Sequence, residues 1–279
     1  MDGSTRTVPV PSLGIDFEVL AGDSIIGPAI ASGSWEDHET ALFRAHVGPG
    51  KRVLDLGANV GWFAVQAILA GAQVTAFEPV PAIAAVAARN IARANKAGPG
   101  KGVLLPFAAA DKSGTARIVL AARNHGDNRV LDEGADAPAD MQGSEEIEIR
   151  LERVDDHVRE PIDVLKVDTQ GSEFLALSGA RKLIEKRPDL ALLIEFWPYA
   201  LRGAQPEELL ALLLQWGFRL GKATVAPYPM TTERLLKQAL ARDPVKGGLD
   251  LYGVRGKLPF HVLGAVARLK SIWRSKREN

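Results

Sequence analysis

The residues best suited to ligand binding lie in residues 53–61, which read VLDLGANVG. A short apolar run, typical of a buried strand, leads into Gly57 and Gly61, and a helical stretch follows to Ala70. Glycines let the backbone turn sharply and approach a ligand closely, and the N–H groups of a helix N-terminus favour an anionic group. The segment therefore predicts a binding site that is formed by Asp55, Gly57, Ala58, Asn59 and Gly61.

Asp55 puts a carboxylate into a run that is otherwise apolar, where it could bind a cation or an amino group. Together with the helix N-terminus, this carboxylate fits the methionine end of S-adenosylmethionine, which carries an ammonium and a carboxylate. A dinucleotide site would instead need the spacing G-x-G-x-x-G, so that a pyrophosphate lies on the glycines. The spacing GANVG of residues 57–61 differs from this and disfavours the alternative function, an NAD-dependent Rossmann oxidoreductase.

Two more carboxylates follow the next strand-like runs. Glu78 comes twenty-one residues after Gly57, directly before Pro79. A carboxylate at this strand end can accept two hydrogen bonds from a ribose diol. Asp111 follows the third strand and is placed to accept a hydrogen bond from an adenine amino group, although Asp is also common in turns such as the one predicted before Lys112.

Three segments together resemble the FkbM family of S-adenosylmethionine-dependent methyltransferases. They read DLGANVGWF (55–63), AFEP (76–79) and LKVDTQGSE (165–173). The resemblance spans roughly residues 35–220 and includes GSWE (33–36) and AAADKSG (108–114). The family usually has Lys-Ile-Asp-Val-Glu-Gly-x-Glu in the third segment, where Gln170 replaces the first glutamate here. The resemblance implies a class I methyltransferase fold and methyl transfer to a hydroxyl of a sugar, glycan or natural product, with N-methylation of an amino sugar as an alternative.

Two residues are candidates for the chemical step. Asp168 ends a strand-like run and would emerge at the carboxyl edge of the sheet, where open parallel sheets bind ligands. It could orient the acceptor hydroxyl, take its proton or cap the next helix, and Ser172 and Glu173 are better placed for the capping role. His125 lies in a polar stretch, 121–144, which we expect to form a loop over this edge, and histidine is the commonest general base.

The elements that must position these residues alternate between strands and helices. Strand-like runs occur at 53–56, 73–77, 103–107, 145–151, 164–167, 190–196, 217–220 and 249–254. Helical patterns occur at 36–46, 61–70, 80–95, 172–186, 206–216 and 231–241. This alternation predicts an α/β, Rossmann-like fold with a mostly parallel seven-stranded sheet, helices on both faces and an antiparallel final strand.

We expect three parts along the chain. Residues 1–34 are predicted to form an N-terminal arm or short strands, and 35–256 the methyltransferase domain with an insertion at about 226–246. Residues 257–279 are predicted to form a basic amphipathic helix and tail, which would lie on an anionic membrane surface or pack on the domain.

The amino-acid composition excludes several kinds of site and partner. The 279 residues include 34 Lys and Arg, 34 Asp and Glu, and no Cys. The absence of Cys excludes a disulfide framework, Cys-ligated zinc and a cysteine nucleophile, and the balanced charge argues against nucleic acid as a partner. The His residues lack ligand-like spacing, so we predict no metal site.

The start lacks a signal-peptide pattern, which predicts a cytoplasmic protein that acts on a small molecule or glycan, with peripheral contact at the inner membrane face as an alternative. A non-catalytic glycan-binding protein is a third interpretation.

Overall fold

The computed structural model describes residues 3–245 and 247–260. The chain begins with an antiparallel hairpin and two short helices: β1 (Thr5–Val10), β2 (Ile15–Leu20), α1 (Ile26–Ser32) and α2 (Asp37–Arg44). The hairpin packs on the domain through buried Phe17 and through Glu18, which forms an ion pair with Arg89 at 2.6 Å. Residues 1–34, for which an arm or short strands were predicted, contain the strands β1 and β2 and the helix α1.

The first half of the main sheet follows, and its strands alternate with helices. Its elements are β3 (Arg52–Leu56), α3 (Trp62–Leu69), β4 (Gln73–Phe77), α4 (Pro81–Ala97) and β5 (Lys101–Leu105). The three strands pair in parallel in the order β3–β4–β5, because each helix returns the chain to the same end of the sheet. Proline at the first position of α4 suits the start of a helix, where no N–H partner is required.

A second sheet interrupts this alternation. It contains β6 (Ala108–Ala110), β7 (Gly114–Val119), β8 (Arg129–Val130) and β9 (Glu146–Arg153), in the spatial order β6–β9–β7–β8. The sequence predicted one long loop at 121–144 and an edge strand at 145–151. In the structure this strand is β9, which pairs with β6 on one side and β7 on the other, so the prediction of an edge strand is wrong. The loop contributes β8 and a short 3₁₀ turn at Ala139–Met141.

The second half of the main sheet completes the domain. Its elements are α5 (Val154–His157), β10 (Val164–Val167), α6 (Glu173–Gly179), α7 (Arg181–Lys186), β11 (Leu190–Phe196), α8 (Pro206–Gln215), β12 (Arg219–Lys222), α9 (Thr232–Leu240) and β13 (Leu249–Arg255). The single helix predicted at 172–186 is two helices, α6 and α7, which meet at Ala180. The predicted insertion at 226–246 contains α9.

The main sheet has seven strands in the order β12–β13–β11–β10–β3–β4–β5. The strands β11, β10, β3, β4 and β5 run parallel to one another. Between β11 and β12 lies β13, which is antiparallel to both. Helices cover both faces, since Leu54 and Leu56 pack with α6, α7 and α8, whereas Val53 packs with α3 and α4. The strand order reverses between β3 and β10, and ligands of open parallel sheets bind outside the carboxyl ends of the strands at such a point.

The predicted C-terminal amphipathic helix lies, from residue 261 onward, outside the described residues. Within the described ranges, no helix has the length and apolar character that crossing a bilayer requires.

Candidate active site

A cavity of about 950 Å³ opens at the carboxyl edge of the main sheet, where β3, β4, β10 and β11 end. Its wall also includes residues of β6 and β7, so the second sheet covers the edge from above. A volume of this size is at the upper end for small-molecule sites and leaves room for a cofactor beside an acceptor. The cavity is therefore the candidate active site.

Backbone strain is concentrated at this cavity. Among the described residues, the three non-glycine residues with a positive φ are Glu36 (46°), Asn59 (50°) and Gln170 (50°). All three line the cavity. Such conformations persist only where the surrounding structure enforces them, and they cluster at ligand-binding sites. The positive φ angles and the cavity thus indicate the same site.

The glycine turn after β3 forms one side of the cavity. Gly57 and Ala58 donate backbone hydrogen bonds to the Phe77 carbonyl, at 3.0 and 2.8 Å, and so join this turn to the end of β4. Gly57 has a φ of 82°, and a Cβ there would lie 1.8 Å from the backbone oxygen of Asp168. Only glycine therefore allows the ends of β3 and β10 to approach so closely. Gly57, Ala58 and Asn59 line the cavity, whereas Gly61 lies behind it as the N-cap of α3.

Asp55 does not reach the cavity wall, in contrast to the predicted direct contact with a ligand. Side chains alternate along a strand, so Asp55 points to the α3 face of the sheet, opposite to Leu54 and Leu56. The side chain is fully buried there, and burial raises the pKa of Asp55 to about 6, against the opposing effects of Lys166 and the Ala64 N–H. Its position beneath the first turn of α3 indicates a role in supporting the glycine turn.

Glu78 reaches the cavity and is held in place by the chain around it. Its Oε2 accepts from the Asn59 N–H and its Oε1 from the Val80 N–H, both at 3.0 Å. Burial raises the pKa of Glu78 to about 7, although both hydrogen bonds act in the opposite direction. Pro79 and Asp111 also line the cavity, so these three predicted residues lie with the glycine turn at one end of the site.

Asp168 lies across the β3–β10 junction from Glu78 and also lines the cavity. Its Oδ2 accepts from the Lys166 Nζ at 3.0 Å. Lys166 is buried, and its ammonium lies 4.5 Å from the centre of the Phe63 ring. Burial lowers the pKa of Lys166, but the carboxylates of Asp168, Glu36 and Asp55 outweigh this effect and leave the pKa raised, so the residue stays charged.

Gln170 and Glu195 join Asp168, and sequence reasoning did not assign either of them a role. The Gln170 Nε2 donates to the Asp168 Oδ1 at 2.7 Å and to the Glu195 Oε2 at 2.9 Å. Glu195 also accepts from the Gly248 N–H at 3.1 Å. The available signal was the departure at position 170 from the family pattern, together with an acidic residue near the end of β11.

Glu36 is another cavity residue that the sequence did not single out, although it belongs to the segment GSWE. Shielding from water by the cavity wall raises the pKa of Glu36 to about 8, and the Lys166 charge opposes this shift. The position of Glu36 at the strand ends could not be predicted from the sequence pattern, because α2 precedes the first strand of the main sheet.

His125 lies in the cavity wall, on the loop between β7 and β8. Its side chain is buried, and the ring Nδ1 lies 3.7 Å from the Asp23 Oδ2. The His125 N–H donates to the same Asp23 oxygen at 2.8 Å, and its carbonyl accepts from the Asn59 Nδ2 at 3.1 Å. The loop does cover the active edge as predicted, and the ring itself packs beside the turn after β2.

The family assignment comes from a comparison with models of known protein families. The model described as the methyltransferase FkbM domain matches residues 55–220, which is more than half of the chain. The chain belongs to the FkbM methyltransferase family. The sheet order and the antiparallel β13 agree with a class I methyltransferase fold, which confirms the fold predicted for this FkbM domain.

Several solved structures are similar to the FkbM domain. They include a methyltransferase FkbM from Methylobacillus flagellatus KT, with 17% identity and a TM-score of 0.45. The match covers 73% of this chain and 43% of that one, so this chain spans less than half the length of that protein. Another is a magnesium protoporphyrin IX methyltransferase from Synechocystis PCC 6803 with bound S-adenosylmethionine, with 13% identity, a TM-score of 0.46 and a match that covers 84% of this chain and 85% of that one. A third is an rRNA methylase from Streptococcus thermophilus, with 11% identity, a TM-score of 0.41 and a match that covers 78% of this chain and 93% of that one. No curated protein matches the chain.

The cavity of the FkbM domain fits S-adenosylmethionine in its chemistry. The glycine turn brings backbone rather than bulky side chains to one end, and Glu78 presents a buried carboxylate beside it. Carboxylates outnumber cationic side chains in the cavity wall, which suits a ligand that carries a positive sulfonium. Within the described part of the chain, no three acidic or histidine side chains are arranged to hold a metal ion.

Proposed function

We propose that the protein transfers the methyl group of S-adenosylmethionine to a hydroxyl group of a sugar, glycan or natural product. This proposal rests on the direct contact between the two sides of the cavity, which we call half-sites. The glycine turn and Glu78 lie on one side of the β3–β10 junction, and Asp168 lies on the other side in the same cavity. The missing Cβ of Gly57 brings the two halves into backbone contact, which places a cofactor-sized site next to an ionisable group.

The cofactor end would be held by residues that directly follow β3, β4 and β6. We propose that Gly57, Ala58 and Asn59 contact the methionine end through the backbone, and that Glu78 accepts from the ribose hydroxyls. Asp111 would accept from the adenine amino group, beside Pro79. When bound, S-adenosylmethionine supplies a methyl group on a positively charged sulfur.

The acceptor end would be held at the ends of β10 and β11. Asp168 would orient the acceptor hydroxyl or take its proton, and His125 is the second candidate for the base. Alignment of two reacting groups in one cavity is worth roughly 7–11 kcal/mol of barrier, and a general base adds on the order of 10²–10⁴-fold in rate. The second sheet covers this end and would exclude water from the reacting atoms.

A titration separates this proposal from its alternatives. The full chain is titrated calorimetrically with S-adenosylmethionine and, separately, with NAD. We expect binding of S-adenosylmethionine and none of NAD. Binding of NAD alone would support the oxidoreductase, and binding of neither would support the glycan-binding protein.

A second experiment tests the acceptor. The full chain is incubated with methyl-labelled S-adenosylmethionine and a panel of simple sugars, amino sugars, oligosaccharides and hydroxylated natural products. We expect label in the hydroxyl-bearing acceptors as an acid-stable methyl ether. Label on nitrogen of the amino sugars alone would favour the N-methylation alternative, and no transfer to any acceptor would contradict the proposed function.

A further inference from the structure

The acceptor end of the cavity contains two carboxylates that share one amide. Gln170 Nε2 is 2.7 Å from the Asp168 Oδ1 and 2.9 Å from the Glu195 Oε2. A primary amide nitrogen carries two hydrogens, so it can donate to both oxygens at once. The three side chains thus form one hydrogen-bonded unit in the cavity wall, which we call the carboxylate bridge (Asp168, Gln170, Glu195).

The fold brings these side chains together from two neighbouring strands. Val167 of β10 pairs with Ile194 of β11, so Asp168, the residue after β10, lies at the same level of the sheet as Glu195 near the end of β11. Gln170 reaches the space between them because its own φ is 50° and that of Gly171 is 98°. A Cβ on Gly171 would lie 2.2 Å from the Ala200 backbone oxygen, so the turn has little freedom to take another path.

The two carboxylates of the bridge have different surroundings. Both oxygens of Asp168 accept from side chains, and one of these donors is the buried ammonium of Lys166. The donors to Glu195 in the described residues are neutral, namely the Gln170 amide and the Gly248 N–H. Asp168 thus accepts from a cationic donor at 3.0 Å, whereas Glu195 lacks such a partner among the described side chains.

The groups around Glu195 favour a proton on it. Three other carboxylates face it from the packed elements: Asp168 at the end of β10, Glu173 in α6 and Asp250 in β13. Burial, and then these carboxylates, raise the pKa of Glu195 well above its usual value. The site therefore contains one carboxylate paired with Lys166 next to a carboxyl group whose pKa is raised.

We propose that Glu195 accepts the proton of the acceptor hydroxyl, and that Gln170 is a positioning residue that holds Glu195 against the anionic Asp168. This rests on the proposed methyl transfer to a hydroxyl. In that step the hydroxyl oxygen bonds to the methyl carbon, and the carbon–sulfur bond breaks with its electron pair left on sulfur. The hydroxyl proton goes to a Glu195 oxygen, and the adjacent Asp168 anion stabilises the neutral carboxylic acid that forms.

The first test measures the proton on Glu195 without any acceptor. The full chain is labelled with ¹³C at the Glu side-chain carboxyls, saturated with S-adenosylmethionine and titrated by NMR, and the Glu195 signal is assigned from its loss in Glu195→Gln. We expect Glu195 to titrate at clearly higher pH than exposed Glu185. Asp168→Asn should shift this titration to lower pH, and Gln170→Glu should shift it to higher pH, because one variant removes and the other adds a negative charge. Titration of Glu195 together with the exposed glutamates would overturn the proposal.

The second test measures kcat against pH with an acceptor that the panel experiment identifies. We expect Glu195→Gln to lower kcat by about 10²–10⁴-fold and to remove the acidic limb of the profile, with the affinity for S-adenosylmethionine unchanged. Gln170→Glu should move that limb to higher pH and recover activity there, which a merely structural role would not do. Glu185→Gln is the matched control and should match the wild type.

The two proposals fail in different ways. A Glu195→Gln variant that keeps its fold, its cofactor affinity and a kcat within threefold of the wild type would overturn the role of Glu195 but leave methyl transfer intact. If the panel shows no methyl transfer, the proposed function fails, and the NMR titration still decides whether the carboxylate bridge holds its proton on Glu195.

Discussion

Glu78→Gln should remove a loss of stability that accompanies rising pH, and it should weaken cofactor binding. In the folded protein, burial raises the pKa of Glu78 from its ordinary 4.5 to about 7. The neutral form therefore adds stability at acid pH, and this stability is lost as the pH rises through about 7. Glutamine stays uncharged, so the stability of the ligand-free variant should not fall over this pH range. Its NH₂ group faces one of the two backbone N–H donors, which lowers the stability of the variant at every pH.

The size of the effect follows from the shift. A difference of this size between the two pKa values corresponds to on the order of 3 kcal/mol, since one unit is worth about 1.4 kcal/mol. A domain of this length changes its Tm by about 2–4 °C per kcal/mol. Between pH 5 and pH 9 the Tm of the ligand-free wild type should therefore fall roughly 5–10 °C further than that of the variant.

The variant should also bind S-adenosylmethionine more weakly than the wild type. The two ribose hydrogen bonds proposed for Glu78 are charge-assisted and worth about 1.5–3 kcal/mol, which is roughly a 10- to 150-fold weaker Kd in the variant. Because a carboxylate accepts these bonds better than a neutral acid does, the wild-type affinity should also rise as the pH passes about 7, and this rise should be absent in Glu78→Gln. Calorimetry of S-adenosylmethionine binding and thermal melts from pH 5 to 9 measure both. Equal affinity of the two proteins at pH 8 would refute the assignment of Glu78 to the cofactor site, and the same pH dependence of Tm in both proteins would refute the raised pKa of Glu78.

Three other changes test separate parts of the site. Asp168→Asn should lower kcat far more than the affinity for S-adenosylmethionine, and equal losses in both would instead mark a binding or folding role; His125→Ala in the same assay tests the second candidate base. Gly57→Ala should destabilise the fold by about 4 kcal/mol or more, as measured by urea unfolding, because its Cβ would lie 1.8 Å from the Asp168 oxygen. The control is Gly134→Ala, which has a similar φ of 74° and open space around it, and it should lose only about 1 kcal/mol. Deletion of residues 261–279 should abolish salt-sensitive co-sedimentation with anionic vesicles, and unchanged co-sedimentation would contradict membrane contact by this basic segment.

The sequence alone determined the parts of the site that depend on local order along the chain. Residues 57–61 had to follow a strand and begin a helix, and Glu78 and Asp168 had to stand at the ends of later strands. Parallel strands joined by helices expose their carboxyl ends at one edge, so these residues were expected to meet, and Gly57, Glu78 and Asp168 do line one cavity. Spacing and propensity suffice for such inferences because each element is specified by its own residues.

The tertiary structure decided which side chains enter the cavity and which partners they have. Asp55 belongs to the same motif as Gly57, yet the alternation of the strand turns it beneath α3. Gln170 and Glu195 are 25 residues apart and meet only because β10 and β11 are neighbours in register. Glu36 directly precedes α2, before the main sheet begins, and β8 of the second sheet lies in a polar stretch without periodicity. These contacts arise from the packing of distant elements, and the free energy of burial and charge pairing that fixes them has no local sequence signal.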